Sequence, residues 1–409
     1  MIPKAELLRV AEEQGLLPTT VEKDYGLGWV LFGIAAHPEL RRWIFKGGTC
    51  LKKCYFDTYR FSEDLDFTLP DAVSYEERSI LAGLTDLAQW VENESGIAVP
   101  SDGIEIEAIV NKQGQTTFQA RLTFQGPLGL PNRQRQRVKF DLTRPEIVVA
   151  PAVPRPVVHG YSDSPAPVPE AQCYSLDEIV AEKLRALTER SGRARDVYDV
   201  VNIARNFADE VSVGRVRDIA ARKFAFKGLP APGVDTIMAR VDPAVLKTDW
   251  ENSLNHQLQA LPAVDEFLEA LARALEWLLG AGQPAPVLAP VSERPGERLA
   301  PRPKFAGEVL GRGEPARAGQ AIGPNRSRLE RVRFAARNRL LVEIEYRGIG
   351  RLVEPYSLRV PRTGNLLLYV WEVGRGGGRS DGVKAFKVEE LGNVTVTAQS
   401  FEPRYRVEL

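Results

Sequence analysis

A proline- and glycine-rich segment between residues 281 and 325 limits how this chain can fold. The segment holds 8 prolines and 7 glycines in 45 residues, which is the composition of a flexible linker rather than of a packed core. The full chain of 409 residues also exceeds what one hydrophobic core usually organises. We therefore predict separate folding units on the two sides of this linker.

Helical and strand patterns are mixed before the linker, whereas only short alternating runs follow it. Two capping boxes, Thr19 with Glu22 and Ser175 with Glu178, predict helix starts. The predicted helices are 20–36, 175–190, 196–207, 211–224 and 264–279. The predicted strands are 59–69, 119–124 and 137–142 before the linker, and 340–346, 351–360, 365–372, 385–388 and 394–397 after it.

These patterns predict an α+β protein with four consecutive parts. A core with a mixed sheet occupies residues 1–150, and a helical part occupies residues 151–280. The linker follows, and residues 326–409 form a small all-β barrel.

Charge and cysteine content exclude several classes of protein. The 54 basic and 54 acidic residues cancel, but residues 326–409 carry 16 Lys and Arg against 10 Asp and Glu, so the C-terminal part is basic. No apolar run reaches the length of a membrane span, and no signal segment opens the chain. Cys50, Cys54 and Cys173 neither pair evenly nor have zinc-ligand spacing. We expect a reduced cytoplasmic protein without structural zinc and without a membrane partner.

Two aspartates in the segment RFSEDLDF are the strongest chemical signal. Residues two apart in a strand project from the same face, so Asp64 and Asp66 present two carboxylates together. Adjacent carboxylates repel each other unless a cation lies between them. Mg²⁺ is the expected cation because it prefers oxygen ligands and takes carboxylates together with substrate phosphates.

A glycine pair precedes these aspartates and completes a nucleotide site. Gly47 and Gly48 let backbone N–H groups approach a triphosphate, and Thr49 or Ser62 adds a hydroxyl. Lys46, directly before the pair, is grouped with the nucleotide-binding residues. A glycine pair alone is more often a turn, and a lone DxD motif occurs often by chance, so the prediction depends on their combination.

Asp141 is the predicted third carboxylate. It lies in VKFDL, a strand pattern in which an aspartate among apolar neighbours needs a charged partner. Transfer of a nucleotide by two metal ions uses one ion at the attacking hydroxyl and one at the triphosphate. Three carboxylates on adjacent strands therefore predict a site for two Mg²⁺ ions and an NTP.

Helical charges in the second part have two interpretations. Lys183 could reach a triphosphate, or it could be a solvated lysine on an exposed helix face. Arg195, Asp196 and Asp199 fall within about one helical turn, and they either form an ion-paired helix start or orient Lys183 and the nucleotide base. Glu22, Lys23, Asp24 and Tyr25 open the first long helix, where acidic residues favour the helix dipole for structural reasons alone. The alternative is a role in the site for Lys23 or Asp24.

The motifs EKDY, FKGGTCL, RFSEDLDF, VKFDL, EKLRAL and RARDVYDV together resemble the AbiEii/AbiGii toxin nucleotidyltransferases of the polymerase-β-like superfamily. The resemblance covers about residues 1–280. It implies that residues 1–150 are the catalytic core and that residues 151–280 complete the nucleotide site. It also implies that Gly48, Thr49 and Ser62 belong to the first motif, that Asp64 and Asp66 bind metal, that Lys183 contacts the triphosphate, and that Asp196 or Asp199 is the acid of the last motif.

Members of that family are bacterial toxins with cognate antitoxins, and the resemblance implies transfer of NMP to RNA at the 3′ acceptor end of tRNA. Residues 326–409 resemble a WYL-type domain, through RLVEPYSL, GNLLLYVWE and VKAFKVEELGNVTV, although the naming tripeptide is absent. That resemblance implies an SH3-like barrel that binds nucleic acid or a nucleotide ligand. Two alternatives stay open: nucleotidylation of a protein hydroxyl, and a non-catalytic nucleotide- or nucleic-acid-binding regulator.

Overall fold

A computed structural model of the protein describes residues 1–56, 59–100, 102–110, 114–190, 193–280, 308–309, 324–361 and 365–409. Almost all of the predicted linker lies outside these residues. The helices are α1 (Lys4–Gln14), α2 (Pro18–Ala36), α3 (Gly47–Cys50), α4 (Glu77–Ser95), α5 (Leu176–Glu189), α6 (Ala194–Asn206), α7 (Val213–Phe226), α8 (Val234–Met238), α9 (Pro243–Leu254), α10 (Val264–Leu279) and α11 (Pro324–Asn338).

Two groups of strands lie within the same described ranges. They are β1 (Ile44–Lys46), β2 (Asp64–Thr68), β3 (Ile104–Val110), β4 (Thr116–Phe124), β5 (Gln136–Thr143), β6 (Val153–Pro156), β7 (Glu170–Cys173), β8 (Glu308–Val309), β9 (Leu340–Tyr346), β10 (Ile349–Val360), β11 (Leu367–Arg375), β12 (Gly378–Lys387) and β13 (Leu391–Ser400). The described chain divides into two compact units, Met1–Arg185 with Gly214–Ala231, and Ala186–Val213 with Pro232–Leu409.

A seven-stranded mixed sheet forms the centre of the first unit. Its strand order is β3-β4-β5-β2-β1-β7-β6. The pairs β2/β5 and β1/β7 are parallel, and the other pairs are antiparallel. Alternation along β5 buries Val138, Phe140 and Leu142 on one face, where α2 packs. Burying each such side chain stabilises the fold by roughly 1.5–3 kcal/mol.

The glycines of α2 allow close packing of aromatic rings. A Cβ at Gly26 would lie 2.3 Å from the Phe124 ring, and one at Gly33 would lie 2.8 Å from Trp90. These positions thus let α2 approach the sheet and α4 more closely than a larger residue would permit. The predicted cap of this helix is wrong in detail, because Glu22 accepts the backbone N–H of Leu128 at 2.7 Å and the helix begins at Pro18 without a side-chain cap.

The second unit combines α6, α8, α9 and α10 with an all-β C-terminal domain preceded by α11. Tyr198 on α6 donates its hydroxyl to Asn338 Oδ1 at 2.9 Å, and Asn206 donates to the Arg337 carbonyl at 3.2 Å. These buried contacts attach α6 to the end of α11. The sequence analysis missed α11, because the segment lies between the linker and the first C-terminal strand.

The C-terminal strands form an antiparallel sheet in the order β12-β11-β10-β9-β13, and β8 pairs with β10. The five predicted strands correspond to β9–β13, so the all-β C-terminal domain is confirmed. Closure into an SH3-like barrel stays a prediction. Within the described ranges, no helix has the length and apolar character that crossing a membrane requires.

Candidate active site

Three predicted carboxylates lie on one face of two neighbouring strands. Along β2, Asp64 and Asp66 are half-buried while Leu65 and Phe67 enter the core. The parallel register places Asp66 beside Asp141 on β5. Because both strands alternate in the same phase, their polar face carries all three carboxylates together.

The glycine turn meets this carboxylate face at Asp66. Lys46 pairs with Asp66 across β1 and β2, and Gly47 follows with φ +79. A Cβ at Gly47 would lie 2.3 Å from Asp66 Oδ2. Glycine is required here on two counts, since the left-handed backbone disfavours other residues and the carboxylate occupies the space of a side chain.

The next residues contact the segment that leads into β2. A Cβ at Gly48 would lie 2.4 Å from Arg60 Nη2 and 3.0 Å from Ser62 Oγ. Thr49 donates its hydroxyl to the Asp64 carbonyl at 2.5 Å. Arg60, whose guanidinium is buried, is not among the site residues predicted from the sequence. Its position against Gly48 depends on tertiary packing, which leaves no local sequence pattern.

Asp141 has the charged partner that its position was expected to need. Its Oδ2 lies 2.9 Å from Lys139 Nζ, and its Oδ1 accepts Gln119 Nε2 at 2.8 Å. All three side chains share the polar face, since Gln119 is the neighbour of Asp141 on β4. Neither residue is among the site residues predicted from the sequence. Gln119 reaches Asp141 only through the pairing of β4 with β5, whereas Lys139 lies two residues from Asp141 on the same strand, and the alternation of VKFDL already places both side chains on one face.

Crowding of negative charge distinguishes Asp66. Burial raises its pKa to about 6, the carboxylates of Asp141 and Asp64 push in the same direction, and Lys46 and Lys183 oppose the shift. The two lysines do not fully balance the negative charge of the three carboxylates. A divalent cation fits such a group, because it supplies positive charge and prefers oxygen ligands.

We expect Asp66→Asn to stabilise the metal-free protein at neutral pH. Between 3.8 and about 6 the folded chain keeps a proton on Asp66 that the unfolded chain has released, so this group lowers the free energy of unfolding as pH rises through that window. Asparagine removes the buried charge, and the free energy of unfolding at about pH 7.5 should increase by up to about 3 kcal/mol. Urea unfolding with a chelator, at about pH 4 and pH 7.5, measures the difference.

The matched control is Asp71→Asn, because the Asp71 side chain is 100% exposed. Its effect should be small and equal at both pH values. The expectation fails if Asp66→Asn destabilises the chain at neutral pH, or if its effect is the same at both.

Lys46 belongs to a buried charge network that no motif predicted. Its ammonium pairs with Glu146 and lies 3.3 Å from Thr143 Oγ1. Burial lowers the pKa of Lys46, but the Glu146 carboxylate outweighs it and the net shift is upward. The network continues through Arg185 to Glu182. Lys46 is therefore held charged beside Asp66, and its contact with a nucleotide stays a prediction.

The same network continues to Lys223 and Glu178, which hold the segment after β5 in position. Lys223 on α7 pairs with Glu178 at 2.8 Å and with Glu182 at 3.1 Å. Glu178 also accepts the backbone N–H groups of Val149 and Ala150. The predicted capping box is half confirmed, since Ser175 accepts the Glu178 N–H at 3.2 Å while the Glu178 carboxylate is used elsewhere.

The remaining predicted site residues divide between the two units. Lys183, on α5, is buried and close enough to Asp66 to lower its pKa. Arg195, Asp196 and Asp199 all lie on α6 in the second unit, where both aspartates are buried. Their role stays a prediction.

Two charges at the front of α2 have structural partners. Asp24 forms a 2.8 Å ion pair with the buried Lys53, and Lys23 pairs with Glu63 at 2.7 Å. Burial raises the pKa of Asp24, but Lys53 outweighs it and the net pKa is lowered. These contacts account for both residues without a ligand.

Comparison with known proteins connects this chain to a family. The structure is similar to MenT4, a nucleotidyltransferase toxin from Mycobacterium tuberculosis H37Rv, with a TM-score of 0.49 and 18% identity over 68% of this chain and 90% of that chain. No curated protein matches the sequence. The family model of the nucleotidyl transferase AbiEii toxin, from type IV toxin–antitoxin systems, matches residues 29–276. The chain therefore belongs to the AbiEii nucleotidyltransferase toxins.

Proposed function

We propose that this toxin is a magnesium-dependent enzyme that transfers NMP from an NTP to RNA, at the 3′ acceptor end of tRNA, in the cytoplasm. The observation that carries the proposal is the parallel pairing of β2 with β5, which gives Asp64, Asp66 and Asp141 a common polar face beside Gly47. Family membership indicates that the reaction is nucleotidyl transfer, that the donor is an NTP and that the toxin has a cognate antitoxin.

The carboxylates Asp64, Asp66 and Asp141 would hold magnesium. When bound, Mg²⁺ activates the attacking hydroxyl and stabilises the charge of the triphosphate. In the transfer, the oxygen of the RNA hydroxyl forms a bond to the α-phosphorus of the NTP, the bond to the β-phosphate breaks, and diphosphate leaves. The hydroxyl proton passes to solvent water in the same step.

The chain's own groups would position the triphosphate next to these carboxylates. Gly47 and Gly48 leave the backbone open, and the Ser62 hydroxyl and the Arg60 guanidinium lie against Gly48. Thr49 already donates its hydroxyl to the Asp64 carbonyl, so we assign its backbone N–H rather than its hydroxyl to a phosphate. Lys46 and Lys183 add positive charge beside Asp66.

The C-terminal domain would contact the RNA. Three of its aromatics, Tyr356, Tyr369 and Phe386, are core residues. Trp371 instead is half-buried with the Arg404 guanidinium 4.7 Å from its ring centre. An arginine beside a partly exposed aromatic ring suits RNA binding, because the guanidinium can neutralise a phosphate while the ring stacks on a base. The SH3-like and WYL-like character of the domain is part of this proposal.

One assay separates this function from its alternatives. The full chain is incubated with each labelled NTP, Mg²⁺ and total cellular RNA, and the products are resolved. Label at the 3′ end of tRNA is the expected result. Label in protein would instead establish a protein nucleotidylating enzyme, and absence of label from every acceptor would contradict catalysis.

We expect Lys183→Ala to raise the apparent KM for the NTP about 10- to 100-fold, because a charged hydrogen bond to phosphate contributes about 1.5–3 kcal/mol. Steady-state transfer at varied NTP concentration measures the change. Lys247→Ala removes an exposed lysine on α9 and should leave KM unaltered. A normal KM in the Lys183 variant would remove that side chain from the triphosphate site.

A further inference from the structure

The three cysteines form a buried cluster outside the site described above. Cys50 ends α3, and Cys54 follows four residues later in a π-helical turn, Leu51–Tyr55. Cys173 ends β7 and pairs with Phe45 of β1. Their sulfur atoms all lie within 4.8 Å of one another, and all three thiols are free and buried.

The fold creates this cluster from residues that sequence spacing did not connect. The chain has 3 cysteines in total, so every thiol of the protein is gathered here. Their number and spacing in the sequence predicted no structural zinc site, whereas the parallel β1/β7 pairing brings Cys173 next to Cys50 and Cys54.

The ligand set identifies the kind of ion that would fit. Metal–thiolate bonds of about 2.3 Å in a trigonal arrangement separate the sulfurs by about 4 Å, which small side-chain rotations can reach from the observed cluster. Structural zinc takes four ligands, and within the described residues the group includes no fourth histidine, aspartate, glutamate or cysteine. Soft thiolates without a fourth ligand favour Cu(I).

We propose that Cys50, Cys54 and Cys173 form a three-coordinate site for a thiophilic monovalent cation, Cu(I). The ion enters as Cu(I), so no electron is transferred, and up to three thiol protons are released as Cu–S bonds form. One basic group adjoins the cluster, since the Arg155 guanidinium donates to the Cys54 carbonyl at 3.2 Å.

An ion at this position would link elements that support the candidate active site. Thr49, next to Cys50, donates to the Asp64 carbonyl at 2.5 Å, and Tyr174, next to Cys173, shares a 2.7 Å hydrogen bond with Thr68. Both partners lie on β2. Copper would therefore link α3 to β7 and stabilise the folded chain by binding it selectively.

The test is anaerobic titration of the full reduced chain with Cu(I) in competition with a chromophoric Cu(I) chelator, without nucleotide. We expect one copper per chain and a rise in Tm. Each of Cys50→Ser, Cys54→Ser and Cys173→Ser should weaken binding at least about 100-fold, since even changes outside the ligand set cost 10- to 100-fold. Circular dichroism verifies that each variant is folded.

The matched control is Tyr55→Phe, which removes a hydroxyl bonded to the Tyr174 carbonyl and keeps all three sulfurs. It should bind copper like the unaltered chain. Equal binding by Cys173→Ser would overturn the proposal. X-ray absorption of the copper-loaded unaltered chain provides a second test that requires no variant: three sulfur neighbours are expected, and two would contradict the site.

Discussion

Replacing Asp66 with alanine is expected to lower nucleotide transfer at least about 1000-fold, which corresponds to about 4 kcal/mol of transition-state stabilisation. Asp66 is the central member of the carboxylate face, because it lies beside Asp141 across β2/β5 and against Gly47. Its removal would take away a proposed metal ligand together with the carboxylate that lies against Gly47. Transfer of labelled NMP to RNA under single-turnover conditions measures the loss.

The control for this variant is Asp71→Asn, which removes an exposed carboxylate a short distance beyond β2. It should retain full activity. Growth inhibition on expression of the toxin should disappear with Asp66→Ala and persist with Asp71→Asn. Transfer by Asp66→Ala within tenfold of the unaltered enzyme would contradict the proposed role.

Replacing Lys223 with methionine is expected to cost about 3–5 kcal/mol of unfolding free energy. The Lys223 side chain is 1% exposed and lies between Glu178, 0% exposed, and Glu182. Methionine fills similar space but leaves the buried Glu178 carboxylate without its cation, whereas Glu182 keeps its ion pair with Arg185. It also loses the hydrogen bond from Lys223 Nζ to the Ile147 carbonyl at 2.8 Å. Urea unfolding measures the cost.

The neighbouring residue provides a stringent control. Arg222 forms its ion pair with Asp218 at the surface, where both side chains are 61% exposed. Arg222→Met should change stability by less than about 1 kcal/mol. Equal losses in the two variants would mean that burial of the Lys223 network does not determine its contribution.

The sequence predicted elements well where a single periodicity extends along the segment. Alternation of apolar and polar residues predicted the strands of the C-terminal domain. The helical periodicity predicted α10, which begins at Val264 and ends at Leu279 as expected. The two-residue spacing of Asp64 and Asp66 likewise predicted their shared face. Local patterns suffice in these cases because the backbone alone determines which side chains project together.

Long-range contacts could not be predicted in the same way. Asp141 accepts a hydrogen bond from Gln119 on β4, and Lys46 pairs with Glu146, yet neither pair forms a motif. Cys173 joins Cys50 and Cys54 only through the β1/β7 pairing. Such contacts depend on which strands become neighbours, and alternation does not encode strand order.

The grouping of helices also depended on tertiary packing. The attachment of α6 to α11 rests on Tyr198 and Asn338, whereas the motif RARDVYDV led only to charge-based interpretations. Removing residues 326–409 would expose this buried contact. Point variants are therefore the better probes of the C-terminal domain.

Anomalous diffraction from crystals grown with Mn²⁺ and a non-hydrolysable NTP analogue tests the magnesium and nucleotide site most directly. We predict manganese bound by Asp64, Asp66 and Asp141, with the triphosphate against Gly47 and Gly48. Manganese bound away from these carboxylates, or a nucleotide bound elsewhere on the chain, would contradict the account.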